Sequence, residues 1–490
     1  HHLRKSTLDC LRAIHPRFLG LGVAQTIMMF MVLTYFNVLI AYCGVYLASA
    51  LLDPLPWSPE AMSPTAAGGG AAAGASAEDF WRRDVLNEYP GDLHGLGFGP
   101  LQWNVVIALF FVYVIVFLSL AFGKKVLAKV TWIMVVGPLV LLMFVLFKAM
   151  QLEGAGDGVR FYVGKCDWEL LKDVELWATA CSQILFSLSP GFGTAMTMSS
   201  YVSPHTDVFR TCMLVSLCNS AFSVIGGFAI FGILGNLSFR TGRTVAEVAS
   251  ASGPGLAFIA IADGIRTFGE GSNVMAVLFF LMLMALGLDS TFAWAETAVC
   301  VIQDHFVRSG QEVSKTAIVG AVSVALFLLG LPYCTRMGAP LLDIVDHFVG
   351  SMFLMFSCFV EAVMFLVCYK FRRLELGLQA ASGYGMVAKP FWKLCLWGPA
   401  PAAPGFLFAY LVYAAVKTPY GPDGGYPQWL LGLGWALMGT CMFAVLSTAF
   451  KRGSTSLEPL DALDTGALET ESEEDYSQAD DDTDDSRDEP

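Results

Sequence analysis

The chain has 490 residues, of which 55% are hydrophobic and only 14% are charged. Soluble domains ordinarily carry about 25% charged residues, and apolar runs such as 105–121, 130–147 and 274–288 approach the roughly 20 residues that cross a bilayer. A soluble enzyme, a nucleic-acid-binding domain and a disordered protein are excluded on these grounds. The formal net charge of −13 belongs to the tail: residues 453–490 hold 15 acids and one Arg, so the rest of the chain is close to neutral.

Residues 1–17 are short, polar and basic and read as a cytoplasmic, loop-like start. The membrane body, 18–451, divides into ten predicted helices with cores at 18–49, 103–121, 129–148, 177–200, 207–235, 274–303, 315–331, 345–369, 391–414 and 428–450. A large loop, 51–102, separates the first two, and its Gly/Ala-rich centre, 61–77, is expected to be flexible. The acidic stretch 452–490 is expected to be a disordered cytoplasmic tail, free to bind protein partners. Lys124, Lys125, Lys129, Lys370, Arg372, Arg373, Lys389, Lys393, Lys451 and Arg452 fall in alternate loops on one side. That asymmetry predicts both termini in the cytoplasm, and a multi-pass protein in contact with lipid, of the plasma membrane, is expected. The twelve cysteines form no CxxC pair and no cluster with His at metal spacing, so they read as small buried hydrophobes.

Helix 177–200 carries Gln183, Ser187, Ser189, Pro190, Gly191, Phe192 and Gly193 in mid-span. Proline and glycine there remove hydrogen bonds and helix propensity together. Backbone freed at that depth must face a cavity, a ligand or packed protein, because lipid cannot satisfy it. A kink with a packing role alone is the other reading. Helix 274–303 places Asp289 at mid-span, with no Lys or Arg in the span to neutralise it. A carboxylate there marks an ion or substrate path or a protonated, hydrogen-bonded acid; carboxylate, hydroxyl and carbonyl oxygens suit a hard cation. Glu296 lies seven residues on and reads equally as a packed, protonated carboxyl. Asn219 and Ser223 lie one turn apart on helix 207–235, Asp346 stands at the outer end of helix 345–369, and Glu361 lies deep within it. No nucleophile elbow, HExxH, P-loop or GxGxxG motif is present, so nothing argues for an enzyme.

Together these motifs resemble the neurotransmitter:sodium symporter family in its eukaryotic form. The run from Trp177 through Gln183-Ile-Leu-Phe-Ser-Leu-Ser-Pro-Gly-Phe-Gly to Tyr201 resembles that family's sixth, broken helix. Leu286-Gly-Leu-Asp-Ser-Thr-Phe resembles its eighth, and Ile14-His-Pro-Arg-Phe with Tyr35-Phe36-Asn37 its third. Leu55-Pro-Trp57 resembles the start of its large outer loop. The resemblance implies an all-α polytopic membrane protein with an inverted-repeat transporter fold and broken helices, about 10 transmembrane helices being present of the family's 12. The first two helices have no counterpart here, which reads as a sequence lacking its upstream part or as a degenerate member. The ten helices alone are expected to leave a groove exposed, and the chain as written to be inactive.

The implied activity is sodium-coupled, chloride-dependent symport of a small amino acid, amine or related solute by alternating access. A non-transporting membrane scaffold or trafficking partner is the alternative. By position, the resemblance assigns sodium to Leu286, Asp289, Ser290, Ser187 and Asn219, and chloride to Gln183, Ser187, Asn219 and Ser223. The substrate would meet Val32, Phe36, Phe186, Ser189, Gly191, Phe192 and Trp294. Asp346 would be the outer-gate acid, and Tyr201 and Asp304 would belong to the inner gate. Two departures stand out. Phe36 replaces the family's usual tyrosine and loses the hydroxyl that contacts a carboxylate in amino-acid members. Trp294 stands where a smaller residue lines the pocket; it either shrinks the pocket, implying a small or atypical substrate, or packs against a neighbouring helix.

Overall fold

A computed structural model describes residues 6–58, 77–87, 98–122, 124–164, 168–202, 206–249, 255–382, 388–418, 420–421 and 425–449. The centre of the outer loop and the acidic tail lie outside the described residues. Among those described, helices account for almost all regular structure, and the one β-bridge pairs Leu101 with Thr335.

Nine helices are long and apolar enough to cross a membrane among the described residues. The principal helices are α1 (Thr7–Ile14), α2 (Leu19–Ser49), α3 (Trp103–Ala121), α4 (Lys124–Ala149), α5 (Ala155–Gly164), α6 (Val174–Leu188), α7 (Thr194–Ser199), α8 (Val208–Thr241), α9 (Ser272–Arg308), α10 (Lys315–Gly330), α11 (Gly338–Val345), α12 (Leu354–Met364), α13 (Phe371–Ser382), α14 (Lys389–Trp397), α15 (Pro399–Lys417) and α16 (Gln428–Ala449). The fourth predicted span, 177–200, is divided into α6 and α7, so neither half reaches the length of a spanning helix. A π-helical stretch, Asp346–Phe353, joins α11 to α12, giving one apolar run from Gly338 to Tyr369.

The start of the chain departs from the loop expected for it. Thr7, Cys10 and Leu11 fall on one face of α1 and are buried, because the i, i+3 and i+4 spacing gives even this polar segment an inward stripe.

The core is organised on α2 and α9. In α2, Met28, Val32, Tyr35, Val38 and Tyr42 are buried, as are Phe280, Leu288, Phe292 and Trp294 in α9. Thr291 donates to Asn37 at 2.8 Å between the two helices, both residues being fully buried. A polar cross-link of this kind replaces the missing hydrophobic drive between helices in lipid. Tyr46 and Trp57 donate to the carbonyls of Phe258 and Ala262 at 2.7 and 3.2 Å, anchoring the start of the outer loop. Phe110, Phe111, Trp132, Phe147, Leu217 and Phe443 are exposed, as expected of side chains that meet acyl chains rather than water.

Candidate functional site

The centre of the site is the break between α6 and α7. Leu188 is the last helical residue, and Ser189 turns into the left-handed region at φ 52°. Pro190 then begins a single 3-10 turn through Phe192, and Gly193 reverses the chain again at φ 77°. Proline supplies no N–H to continue the ladder, and left-handed backbone is costly for any residue but glycine. Gly193 is also required for space: a Cβ there would lie 2.5 Å from Thr7 Cγ2.

The freed backbone is satisfied by protein. Thr7 donates to the Gly193 carbonyl at 2.5 Å, and Ser357 of α12 donates to the Gly191 carbonyl at 2.8 Å. Gln25 of α2 reaches from the other side, donating to Ser357 at 3.2 Å and to the Glu361 carboxyl at 3.0 Å. Three helices thus hold one interrupted strand of backbone, as non-helical chain at membrane depth demands.

Four aromatic side chains close over the break. Phe192 is buried and stacks on Trp294 with ring centroids 5.4 Å apart. Phe36 and Phe186 meet the same indole edge-on at 4.9 and 5.7 Å, and Phe186 meets Phe192 at 5.7 Å. Val32, one turn before Phe36 on α2, is fully buried. Ser189 turns its hydroxyl back to the Phe186 carbonyl at 3.1 Å. Trp294 therefore packs against the break, and its ring partners are residues expected to line the pocket.

The polar residues fall into two groups. On α9, Asp289 and Ser290 are half-buried while the Leu286 side chain points outward. No Lys, Arg or His stands within ion-pair distance of Asp289 among the described residues. On α6 and α8, Ser187 donates to the Asn219 side-chain carbonyl at 2.8 Å. Gln183 and Ser223 stand one turn from this contact on the same helix faces, and the Ser223 hydroxyl bonds back to the Asn219 main-chain carbonyl at 2.9 Å.

Asp346 and Tyr201, the residues expected at the gates, have partners that the sequence did not reveal. Asp346 accepts from Tyr35 of α2 at 2.5 Å. At the opposite end, Tyr201 donates to Glu296 at 3.0 Å and contacts the Cys300 thiol. Lys315, at the start of α10, pairs with Glu296 at 2.6 Å, so Glu296 has a cationic partner from a neighbouring helix. Tyr201 and Asp304 line one 440 Å³ pocket, together with Asp9 and Arg308, which form an ion pair across it. Gln25, Tyr35 and Asn37 were detectable as polar interruptions of an apolar span. Lys315 was not, because it lies in a loop-proximal position that carries no such signal.

Lys315→Met should cost about 3–5 kcal/mol, since it leaves a fully buried carboxylate without its cation. Thermal unfolding of the purified protein in detergent reads this out. Adding Glu296→Gln should restore part of the loss, and an unchanged melting temperature in the single variant would rule out a structural ion pair.

Spanning helices around an interrupted one, with acids at membrane depth, define an integral multi-pass membrane protein of the solute-transporter class. Residues 1–454 match the sodium:neurotransmitter symporter family, and the chain belongs to it. Members of that family are transporters, not enzymes. The chain is 31% identical over 452 residues to the sodium-dependent serotonin transporter of Drosophila melanogaster, covering 89% of this chain and 70% of that one. It is 30% identical over 460 residues to the human sodium- and chloride-dependent taurine transporter, covering 89% and 72%. It is 28% identical over 471 residues to the sodium- and chloride-dependent glycine transporter 2 of Xenopus laevis, covering 86% and 58%.

Proposed function

We propose that this protein carries out sodium-coupled, chloride-dependent symport of a small solute by alternating access. The observation that carries the reading is the break at Ser189–Gly193, held by three other helices and faced by an aromatic box, with Asp289 on α9 lacking an ion-pair partner among the described residues. Broken helices at membrane depth are the common means by which transporters present backbone groups to ions and solutes.

Asp289, Ser290 and the Leu286 carbonyl form a hard-oxygen donor set with a negative charge, which fits sodium as the co-transported cation. Ser187 and Asn219 belong to a second sodium site in this reading. Gln183, Ser187, Asn219 and Ser223 supply amide and hydroxyl donors without a fixed charge, which fits chloride. The substrate docks among Val32, Phe36, Phe186, Ser189, Gly191, Phe192 and Trp294. Phe36 offers a ring but no hydroxyl, so the box favours apolar and cationic groups over a carboxylate.

Coupling then follows from charge. Each positive charge moved inward through 100 mV is worth about 2.3 kcal/mol, enough to drive a solute uphill. The outer gate closes around Asp346 and Tyr35; the inner gate opens when the Tyr201–Glu296–Lys315 cluster and the Asp304 pocket separate. We further place the protein in the plasma membrane with both termini cytoplasmic, and the acidic tail there is available to protein partners.

The test is uptake by cells expressing the full-length native protein, with radiolabelled serotonin, glycine and taurine as the first probes. Replacing sodium by choline should abolish uptake, and replacing chloride by gluconate should lower it at least fivefold. Uptake unaffected by gluconate would remove chloride from the account.

A further inference from the structure

A groove of 1030 Å³ lies where the run Gly338–Tyr369 ends and the run Lys389–Lys417 begins. None of its lining residues belongs to the break or to the transport reading. Its rim carries four cations, Lys370, Arg372, Lys389 and Lys393, against a single acid, Glu375. Glu375 is already paired with Lys389. Lys370, Arg372 and Lys393 have no carboxylate partner among the described residues. The floor is apolar, formed by Leu366, Val367 and Pro401 with the indole of Trp397. Val367 and Trp397 are 66% and 62% exposed, so this floor opens toward the surrounding membrane.

The backbone also bends to place one of these cations. Lys370 closes the π-helical stretch Phe365–Tyr369 at φ 65° and ψ 140°, a conformation costly for a residue with a Cβ. The turn separates this stretch from α13, which begins at Phe371, and leaves Lys370 on the rim.

We propose that this groove binds an anionic glycerophospholipid of the cytoplasmic leaflet. Three uncompensated cations at the level of the membrane interface fit a phosphate headgroup. The Arg372 guanidinium can engage it with two parallel hydrogen bonds. An apolar floor continuous with the lipid-facing surface fits the acyl chains, which a soluble phosphate or nucleotide lacks. Tryptophan at the groove's edge is the side chain that settles at this depth. Basic pockets between membrane helices on the cytoplasmic side recognise anionic headgroups in just this way.

The experiment is native mass spectrometry of the purified full-length protein, titrated in detergent with phosphatidylserine and, separately, with phosphatidylcholine. The expected preference for phosphatidylserine is at least tenfold. Lys370→Gln/Arg372→Gln/Lys393→Gln should bring it within threefold, while Lys370→Arg/Arg372→Lys/Lys393→Arg should keep it. Glu375→Gln frees Lys389 and should raise the preference, giving a gain that no folding defect can mimic. Glycerophosphoserine, which has the headgroup without acyl chains, should not compete at equal concentration. The proposal is overturned if the glutamine variant retains the full preference, if Glu375→Gln leaves it unchanged, or if glycerophosphoserine displaces the lipid. The readout requires no transport, so its failure would leave the symport reading untouched, and the reverse holds equally.

Discussion

Replacing Asp289 with alanine is expected to abolish high-affinity sodium binding and, with it, all sodium-dependent uptake. A unit charge beside a unit charge at about 4 Å contributes about 4 kcal/mol at the effective dielectric of a partly screened protein site. Lost from a binding equilibrium, that is close to a thousandfold in affinity. Binding of radioactive sodium to the purified protein measures this without knowledge of the solute. Stability supplies a second signature. Asp289 has no cationic partner among the described residues, so its removal orphans no charge there and should not lower the melting temperature in sodium-free buffer. Sodium at a hundred times its dissociation constant from the Asp289 site should stabilise the unaltered protein by about 2.7 kcal/mol more than the variant, which keeps only the site at Ser187 and Asn219. Sodium binding that is the same in affinity and in number of ions after the substitution would remove Asp289 from the ion site.

Trp294→Ala should have the second-largest effect, and in two directions. The indole is buried and touches Phe36, Phe186 and Phe192. Truncating a buried tryptophan costs about 3–5 kcal/mol through lost burial and the cavity left behind. The same cavity lies beside the broken backbone, where the solute is proposed to bind. The variant should therefore melt well below the unaltered protein and yet accept bulkier solutes in competition against the transported one. Trp294→Phe keeps most of the packing and should lie between. If the alanine variant loses stability while its ranking of solutes by bulk stays the same, Trp294 is packing alone and the limit on substrate size must come from another residue.

The long spans were legible in the sequence because lipid imposes one solution on an apolar run. Residues 103–121 needed no adjustment, and Asp173 as an N-cap moves the start of the sixth-helix counterpart only to Val174. The break was legible for the same reason: Pro190 between Ser189 and Gly191 has no helical future at that depth. What was not legible is pairing at a distance. Nothing in the local pattern ties Thr7 to Gly193, Tyr35 to Asp346 or Lys315 to Glu296, since periodicity reports which face is buried and not what it meets. Trp294 shows the limit well. Its spacing from Asp289 put it beside the expected pocket, but only the fold shows three other aromatic rings closing on it. The segment before the first span was misjudged because its inward stripe is only two turns long and its composition is polar.

The central claim is that an inward sodium gradient drives a solute through this protein. Its most direct test is accumulation of labelled amines and small amino acids in proteoliposomes containing the full-length protein, with sodium outside only. The predicted result is a solute concentration inside that rises above the external one, collapses when an ionophore dissipates the gradient, and is absent in the Asp289→Ala protein. Accumulation that is the same with and without the sodium gradient, or that persists in the Asp289→Ala protein, would contradict the account.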